Sequence, residues 1–144
     1  MDRPSYLNME VFMPKATQLN IKLENKPGSL AHLCRDLADN GINLLALLAP
    51  DISAQRGIIR LLVVNPELAQ VKMTQAGYAF TIDEVLYLEL KNRPGALAKA
   101  MEKIARADIN VKYAYVTALK KTQKSAAVIA VQEEDFPKAL KLLG

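Results

Sequence analysis

The chain has 144 residues, enough for one ordinary domain or two very small ones with buried cores, and too few for a large enzyme. At 51% hydrophobic and 24% charged it is too apolar for intrinsic disorder and too evenly charged for a membrane protein; its longest apolar run, residues 44–50, falls far short of the roughly 20 residues that cross a bilayer. One cysteine, Cys34, and one histidine, His32, leave no internal disulfide and no ordinary zinc ligand set, and the net charge of +4 is spread as 0 over residues 1–15, +1 over 16–82 and +3 over 83–144, with Lys120, Lys121 and Lys124 as its tight cluster.

At the N-terminus, Asp2-Arg3-Pro4 leads into no signal-peptide core, so a cytoplasmic protein is expected. Leu7, Met9, Val11 and Met13 alternate with Tyr6, Asn8, Glu10 and Phe12, and residues 1–15 read either as a flexible leader or as an added strand. Leu19, Ile21 and Leu23 alternate with polar neighbours as a strand with one buried face requires. After Pro27-Gly28, the residues Leu30, Leu33, Cys34, Leu37 and Ala38 recur at helical spacing up to Gly41, which places Cys34 in the core and His32 on the surface. Residues 43–49 and 57–64 predict two strands joined by a loop holding Pro50, Asp51 and Ser53. Asn65-Pro66-Glu67 predicts the start of a second helix, with Leu68, Val71 and Met73 on its apolar stripe, and residues 78–82 predict a fourth strand.

The same series then recurs. Leu23-Glu-Asn-Lys-Pro-Gly-Ser-Leu-Ala31 aligns with Leu90-Lys-Asn-Arg-Pro-Gly-Ala-Leu-Ala98 at an offset of 67, with six of nine positions identical. That offset also pairs Leu19, Ile21 and Leu23 with Leu86, Leu88 and Leu90, Leu37-Ala38 with Ile104-Ala105, and Ile42-Asn43 with Ile109-Asn110, while Asp108 stands at the position of Gly41. Two βαββαβ units are expected, residues 16–83 and 84–144, in an α+β chain with antiparallel sheets and helices on one face. The second is expected to lack its own last strand, because Gly144 falls 67 residues after Gly77, and the edge so left needs a cover, for which the N-terminal segment is a candidate.

The chemistry converges on Asn25-Lys26-Pro27-Gly28 and Asn92-Arg93-Pro94-Gly95. Proline fixes φ at the helix entry, glycine lets a ligand approach the backbone, and the helix start offers unpaired N–H groups with a positive dipole end. The asparagine amide adds a donor and an acceptor, so the turn matches both halves of a zwitterionic amino acid.

With Asn40-Gly-Ile-Asn43 and Ala107-Asp-Ile-Asn110 downstream, these two blocks resemble the ACT domain, a small regulatory module that binds amino acids. The resemblance covers about residues 17–144, and the whole chain is similar to free-standing tandem ACT proteins with no catalytic domain. It implies ligands lying between two ACT units, held by the turn after the first strand of one unit and the start of the second strand of its neighbour. Carried over, the turn contacts are Asn25, Gly28, Ser29 and Leu30, and Asn92, Gly95, Ala96 and Leu97; the strand contacts are Asn43 and Asn110. Serine-binding members carry a histidine two residues before the asparagine. Leu23 and Leu90 stand there instead, which with Leu30 and Leu97 favours an aliphatic ligand over a small polar one.

The expected function is therefore that of a small-molecule sensor of free amino acids, not an enzyme, with no metal or other cofactor, that modulates an amino-acid biosynthetic enzyme. A homodimer is expected because residues 58–64 are apolar on both faces of their strand apart from Arg60. The alternative is an RNA-binding module of the same topology, suggested by the basic charge and by Tyr113 and Tyr115. The sequence argues against it, because neither residues 57–63 nor 125–131 contain the aromatic signature that RNA-recognition strands need. An acylphosphatase-like enzyme would need a loop arginine and a strand asparagine working on phosphate, and Arg93 has only Lys26 as its counterpart.

Overall fold

The computed structural model describes residues 14–50 and 56–144. In chain order these form β1 (Lys15–Glu24), α1 (Ser29–Asp39), β2 (Leu44–Leu48), β3 (Arg56–Val63), α2 (Pro66–Gln75), β4 (Phe80–Lys91), α3 (Ala96–Arg106), β5 (Val111–Ala118), β6 (Lys124–Val131), a 3-10 turn (Glu133–Asp135) and α4 (Phe136–Leu143). The expected strand at residues 7–13 and the loop residues Asp51 and Ser53 lie outside the described residues. Two compact units result, Thr17–Asp83 and Glu84–Gly144, the latter taking in residues 14–16; the division falls inside β4, and each half of that strand belongs with its own unit.

In the first unit the strands are ordered β2-β3-β1-β4. β3 is antiparallel to both β1 and β2, so those two run the same way and α1 is the crossover of a split βαβ unit. The register sets Leu19 against Leu61 and Ile21 against Ile59. The period of two puts all four on one face, where they pack with Leu33 and Leu37 of α1 and Ala69 and Met73 of α2. Side chains buried this fully are worth about 1.5 to 3 kcal/mol each. The opposite face of β1 carries Gln18 and Asn20, both buried. Gln18 Nε2 donates to Asn20 Oδ1 (2.8 Å), and Asn20 Nδ2 donates to Thr81 Oγ1 (3.3 Å) and Asp83 Oδ2 (2.9 Å), a polar row that ties β1 to the start of β4 in one register.

The second unit repeats the plan with strand order β4-β6-β5, all pairs antiparallel. Leu86 and Leu88 of β4 and Ala127, Ile129 and Val131 of β6 face Ala100 and Ile104 of α3 and Phe136 and Ala139 of α4. Even the irregularities repeat: the register shifts between Leu44 and Ala46 in β2 and between Val111 and Tyr113 in β5, 67 residues on. On the β4 edge away from β6, Tyr87 N–H donates to the Pro14 carbonyl (2.9 Å), so Pro14 occupies that edge at this point.

Cys34 is a correction. It is exposed, because α1 turns only the narrow stripe of Leu33 and Leu37 onto the sheet and Cys34 lies one residue, about 100° of helix, beyond it. Where α1 and α3 end, the chain takes a left-handed residue, Gly41 (φ 71°) in one unit and Asp108 (φ 59°) in the other. A second tie holds α1: Tyr78 Oη donates to Asp36 Oδ2 (2.5 Å), linking the helix to the connection that follows α2. Burial raises the Tyr78 pKa well above its ordinary value of about 10, and the hydrogen bond and negative charge of Asp36 add to the shift.

A Cβ added at Gly41 meets nothing within 4 Å, so the cost of Gly41→Ala is that of the left-handed backbone alone. That substitution should lower stability by about 1 kcal/mol in equilibrium denaturation, whereas Asp108→Gly should not lower it. Tyr78 holds its proton more tightly folded than unfolded, so its contribution is present in full below about pH 10 and is lost as pH rises from there. Tyr78→Phe should cost about 1 kcal/mol at neutral pH and flatten the stability–pH curve above pH 10; a variant with the wild-type alkaline slope would refute the assignment.

Candidate functional site

The two turns that join strand to helix are built alike. In the first, Lys26 N–H bonds the Glu24 carbonyl (3.0 Å), Ser29 N–H the Lys26 carbonyl (3.3 Å) and His32 N–H the Gly28 carbonyl (2.8 Å). In the second, Arg93 bonds Lys91 (2.8 Å), Ala96 bonds Arg93 (3.4 Å) and Lys99 bonds Gly95 (3.0 Å). Gly28 and Gly95 are the N-caps of α1 and α3, each at φ 91°, a left-handed conformation that L-residues avoid. A Cβ added at either meets nothing within 4 Å, so there is open space beside the backbone at both positions.

The helix starts are also electrostatically open. Neither α1 nor α3 has a side-chain cap or an acid in its first turn, whereas α2 has both: Asn65 Oδ1 accepts from Leu68 N–H (3.1 Å), and Glu67 follows. The first-turn N–H groups of a helix fall outside its own ladder, and its dipole end attracts an anion with about 0.3 to 1 kcal/mol, up to about 2 when partly buried. A carboxylate suits both α1 and α3.

The candidate residues divide by position. Asn25, Gly28, Ser29 and Leu30 gather at one end of the first sheet, and Leu30 is 39% exposed. Asn43 is exposed at the other end, after α1 has run its 11 residues, about 16 Å, back along the sheet, and its carbonyl accepts from Val64 N–H (3.0 Å). One unit therefore does not bring its own turn and its own strand contact together. Asn110 stands likewise at the far end of α3 from Asn92, Gly95, Ala96 and Leu97. Leu97, Leu23 and Leu90 pack against the cores of their units.

Asn92 has a second task that its sequence position does not reveal. Its Nδ2 donates to the carbonyls of Leu119 (3.2 Å) and Thr122 (3.0 Å), and its backbone N–H to that of Gln123 (2.8 Å). Both amide hydrogens hold the β5–β6 connection, which leaves Oδ1 as the atom through which this side chain accepts.

A groove of about 290 Å³ borders the first turn, lined by Lys22, Lys26, Ser29, His32, Tyr78 and their neighbours. Lys26 lies 3.0 Å from Glu24, and His32 Nε2 lies 3.3 Å from the Asp36 oxygen that Tyr78 also binds. Of these residues the sequence reading included Ser29. His32 and Asp36, one turn apart on α1, were open to detection by their spacing; Tyr78, 42 residues from Asp36, was not.

Comparison with known proteins agrees with this architecture. The family model described as an ACT domain pair matches residues 15–138. Among solved structures, a protein of Bacteroides thetaiotaomicron superposes with a TM-score of 0.80 at 32% identity, covering 90% of this chain and 87% of that one. The regulatory subunits of aspartate kinase from Thermus flavus and Thermus thermophilus share the fold, with TM-scores of 0.58 and 0.59 at 17% and 16% identity over 91% of both chains. No curated protein matches. Among the described residues no helix is long and apolar enough to cross a membrane. With its paired units, repeated uncapped turns and a family model spanning most of its length, this chain belongs to the ACT domain pair family, a regulatory small-molecule-binding fold.

Proposed function

We propose that the protein is a cytoplasmic, non-catalytic sensor that binds a free amino acid at its strand-to-helix turns and passes occupancy to an amino-acid biosynthetic enzyme. The observation that carries this reading is the pair of uncapped helix starts on open, left-handed Gly28 and Gly95. Each presents backbone donors to a carboxylate. Asn25 and the Oδ1 of Asn92 stand at the turns to meet the ammonium group. An aliphatic side chain is favoured because Leu30, exposed two residues after Gly28, offers it apolar contact. Leu97, its counterpart in the second unit, is half-buried against its core.

The working form we propose is a homodimer. Leu45, Ile58 and Val64 are large apolar side chains left 46%, 41% and 60% exposed in the first unit, more than one such strand region needs to leave in water. Light scattering at micromolar concentration should give twice the mass of the chain, and a monomer there would count against it.

A thermal-shift screen over the common amino acids identifies the ligand, since one that binds only the folded state adds about 2.7 kcal/mol at a hundredfold excess over Kd. Isothermal titration with that ligand should then show Gly28→Val or Gly95→Val abolishing binding at its site, and Asn43→Ala or Asn110→Ala weakening it by about 0.5 to 1.5 kcal/mol. If both glycine variants keep wild-type affinity and a native circular dichroism spectrum, the Pro-Gly turns serve the fold alone.

A further inference from the structure

One end of the second unit concentrates its positive charge. Lys91, the last residue of β4, lies directly opposite Lys124, the first of β6. Arg93 follows in the turn, and Lys99 sits in the first turn of α3 with its N–H on the Gly95 carbonyl (3.0 Å). Asn92 draws the β5–β6 connection against this turn through the three hydrogen bonds described above, which brings Lys120 and Lys121 to the same end. All six cationic residues are exposed. Glu89 approaches Lys124 at 3.8 Å with both side chains largely in water, too weak a pair to neutralise the group.

Folding gives no reason for this arrangement. Like charges directly opposed across antiparallel strands destabilise the pair, so Lys91 opposite Lys124 breaks a local rule and marks a position held for something besides stability. Amid the lysines, Leu119 is 71% exposed, the most exposed of the large apolar side chains described. Beside it runs a groove of about 280 Å³ whose lining includes Tyr87, Thr117, Ala118 and Ala126.

We propose that this end of the second unit is a docking surface for an acidic segment of a partner protein, with carboxylates on Lys91, Arg93, Lys120 and Lys121 and an apolar side chain in the groove beside Leu119. Charge complementarity selects the acidic partner. The apolar element selects protein over nucleic acid, because Leu119, Ala118 and Ala126 offer an aliphatic floor where single strands call for a run of aromatic stacking surfaces.

The test is fluorescence anisotropy of the full chain with a labelled peptide of alternating leucine and glutamate, beside oligoglutamate and oligouridylate of equal length. The leucine-glutamate peptide should bind tightest, less so as salt rises. Lys120→Glu with Lys121→Glu should weaken it at least about tenfold, as expected for charge reversal at a docking site, and Leu119→Ser should weaken this peptide while leaving oligoglutamate unchanged. Lys91→Glu separates docking from folding: it sets opposite charges across from Lys124, so thermal stability should hold or rise while the peptide binds less well. The proposal is overturned if the wild type does not bind the peptide, if the double lysine variant binds as the wild type does, if Leu119→Ser has no effect, or if oligouridylate binds more tightly. The lysine and leucine variants lie outside the residues proposed to hold the amino acid, so their thermal shift with free amino acids should match the wild type whichever way the peptide result falls.

Discussion

In both units the chain leaves a strand and enters a helix within four residues, and it makes that passage through a glycine with positive φ, Gly28 or Gly95, each at 91°. Proline immediately before each glycine narrows the approach, so the direction of α1 and α3 over their sheets is set before any side chain packs. That direction lets Leu33 and Leu37 meet Leu19 and Ile21, and Ala100 and Ile104 meet Leu86 and Leu88. The same glycine removes the usual capping side chain, a loss of only a few tenths of a kcal/mol relative to a good cap, and leaves the helix start without a side-chain acceptor. Packing and the proposed binding site are thus two consequences of one backbone constraint, and neither is adjustable without the other.

Around this shared frame the two units have diverged in charge. Near the first turn both signs are present: Lys26 with Glu24, His32 with Asp36. At the matching positions of the second unit stand Arg93, Lys91, Lys99 and Lys103. A polyanion is favoured by cations alone, so the charge of the second unit adds to its turn a surface that favours extended negative charge.

Much of this was legible in the sequence because the repeat reports on itself. The 67-residue offset paired the elements and core positions of the two units and set Asp108 at the position of Gly41, where the structure shows both residues left-handed. The period of two in β1 separated Leu19 and Ile21 from Gln18 and Asn20 without difficulty. What the sequence could not supply was contact between residues distant in the chain. Cys34 sits on an apolar stripe by spacing, yet the sheet meets only the centre of that stripe. The Tyr78–Asp36 bond joins residues from different helices' surroundings, and the Asn92 bonds to Leu119 and Thr122 span 27 and 30 residues. Lys120, Lys121 and Lys124 are a cluster in the sequence, and those bonds bring them to the end of the unit that carries Lys91, Arg93 and Lys99.

Asn92 is where the two proposed activities meet. Its turn belongs to the amino-acid site and its amide hydrogens hold the connection that carries Lys120 and Lys121. A ligand that drew the Asn92 amide toward itself would have to loosen two hydrogen bonds, each worth about 0.5 to 1.5 kcal/mol net, so the free energy exchanged between turn and hairpin is bounded at about 3 kcal/mol. That bound falls within the range of about 1 to 3 kcal/mol over which sites in regulatory proteins are usually coupled. Linkage makes the effect reciprocal: a partner that fixes the hairpin against the turn holds the amide in place and disfavours the ligand by the same amount. A ligand that uses only Oδ1 and the backbone of Gly95 leaves the hairpin bonds intact and transmits nothing by this route. The hydrogen-bonding demand of the ligand on one amide thus determines whether the second unit reports occupancy or merely holds the ligand.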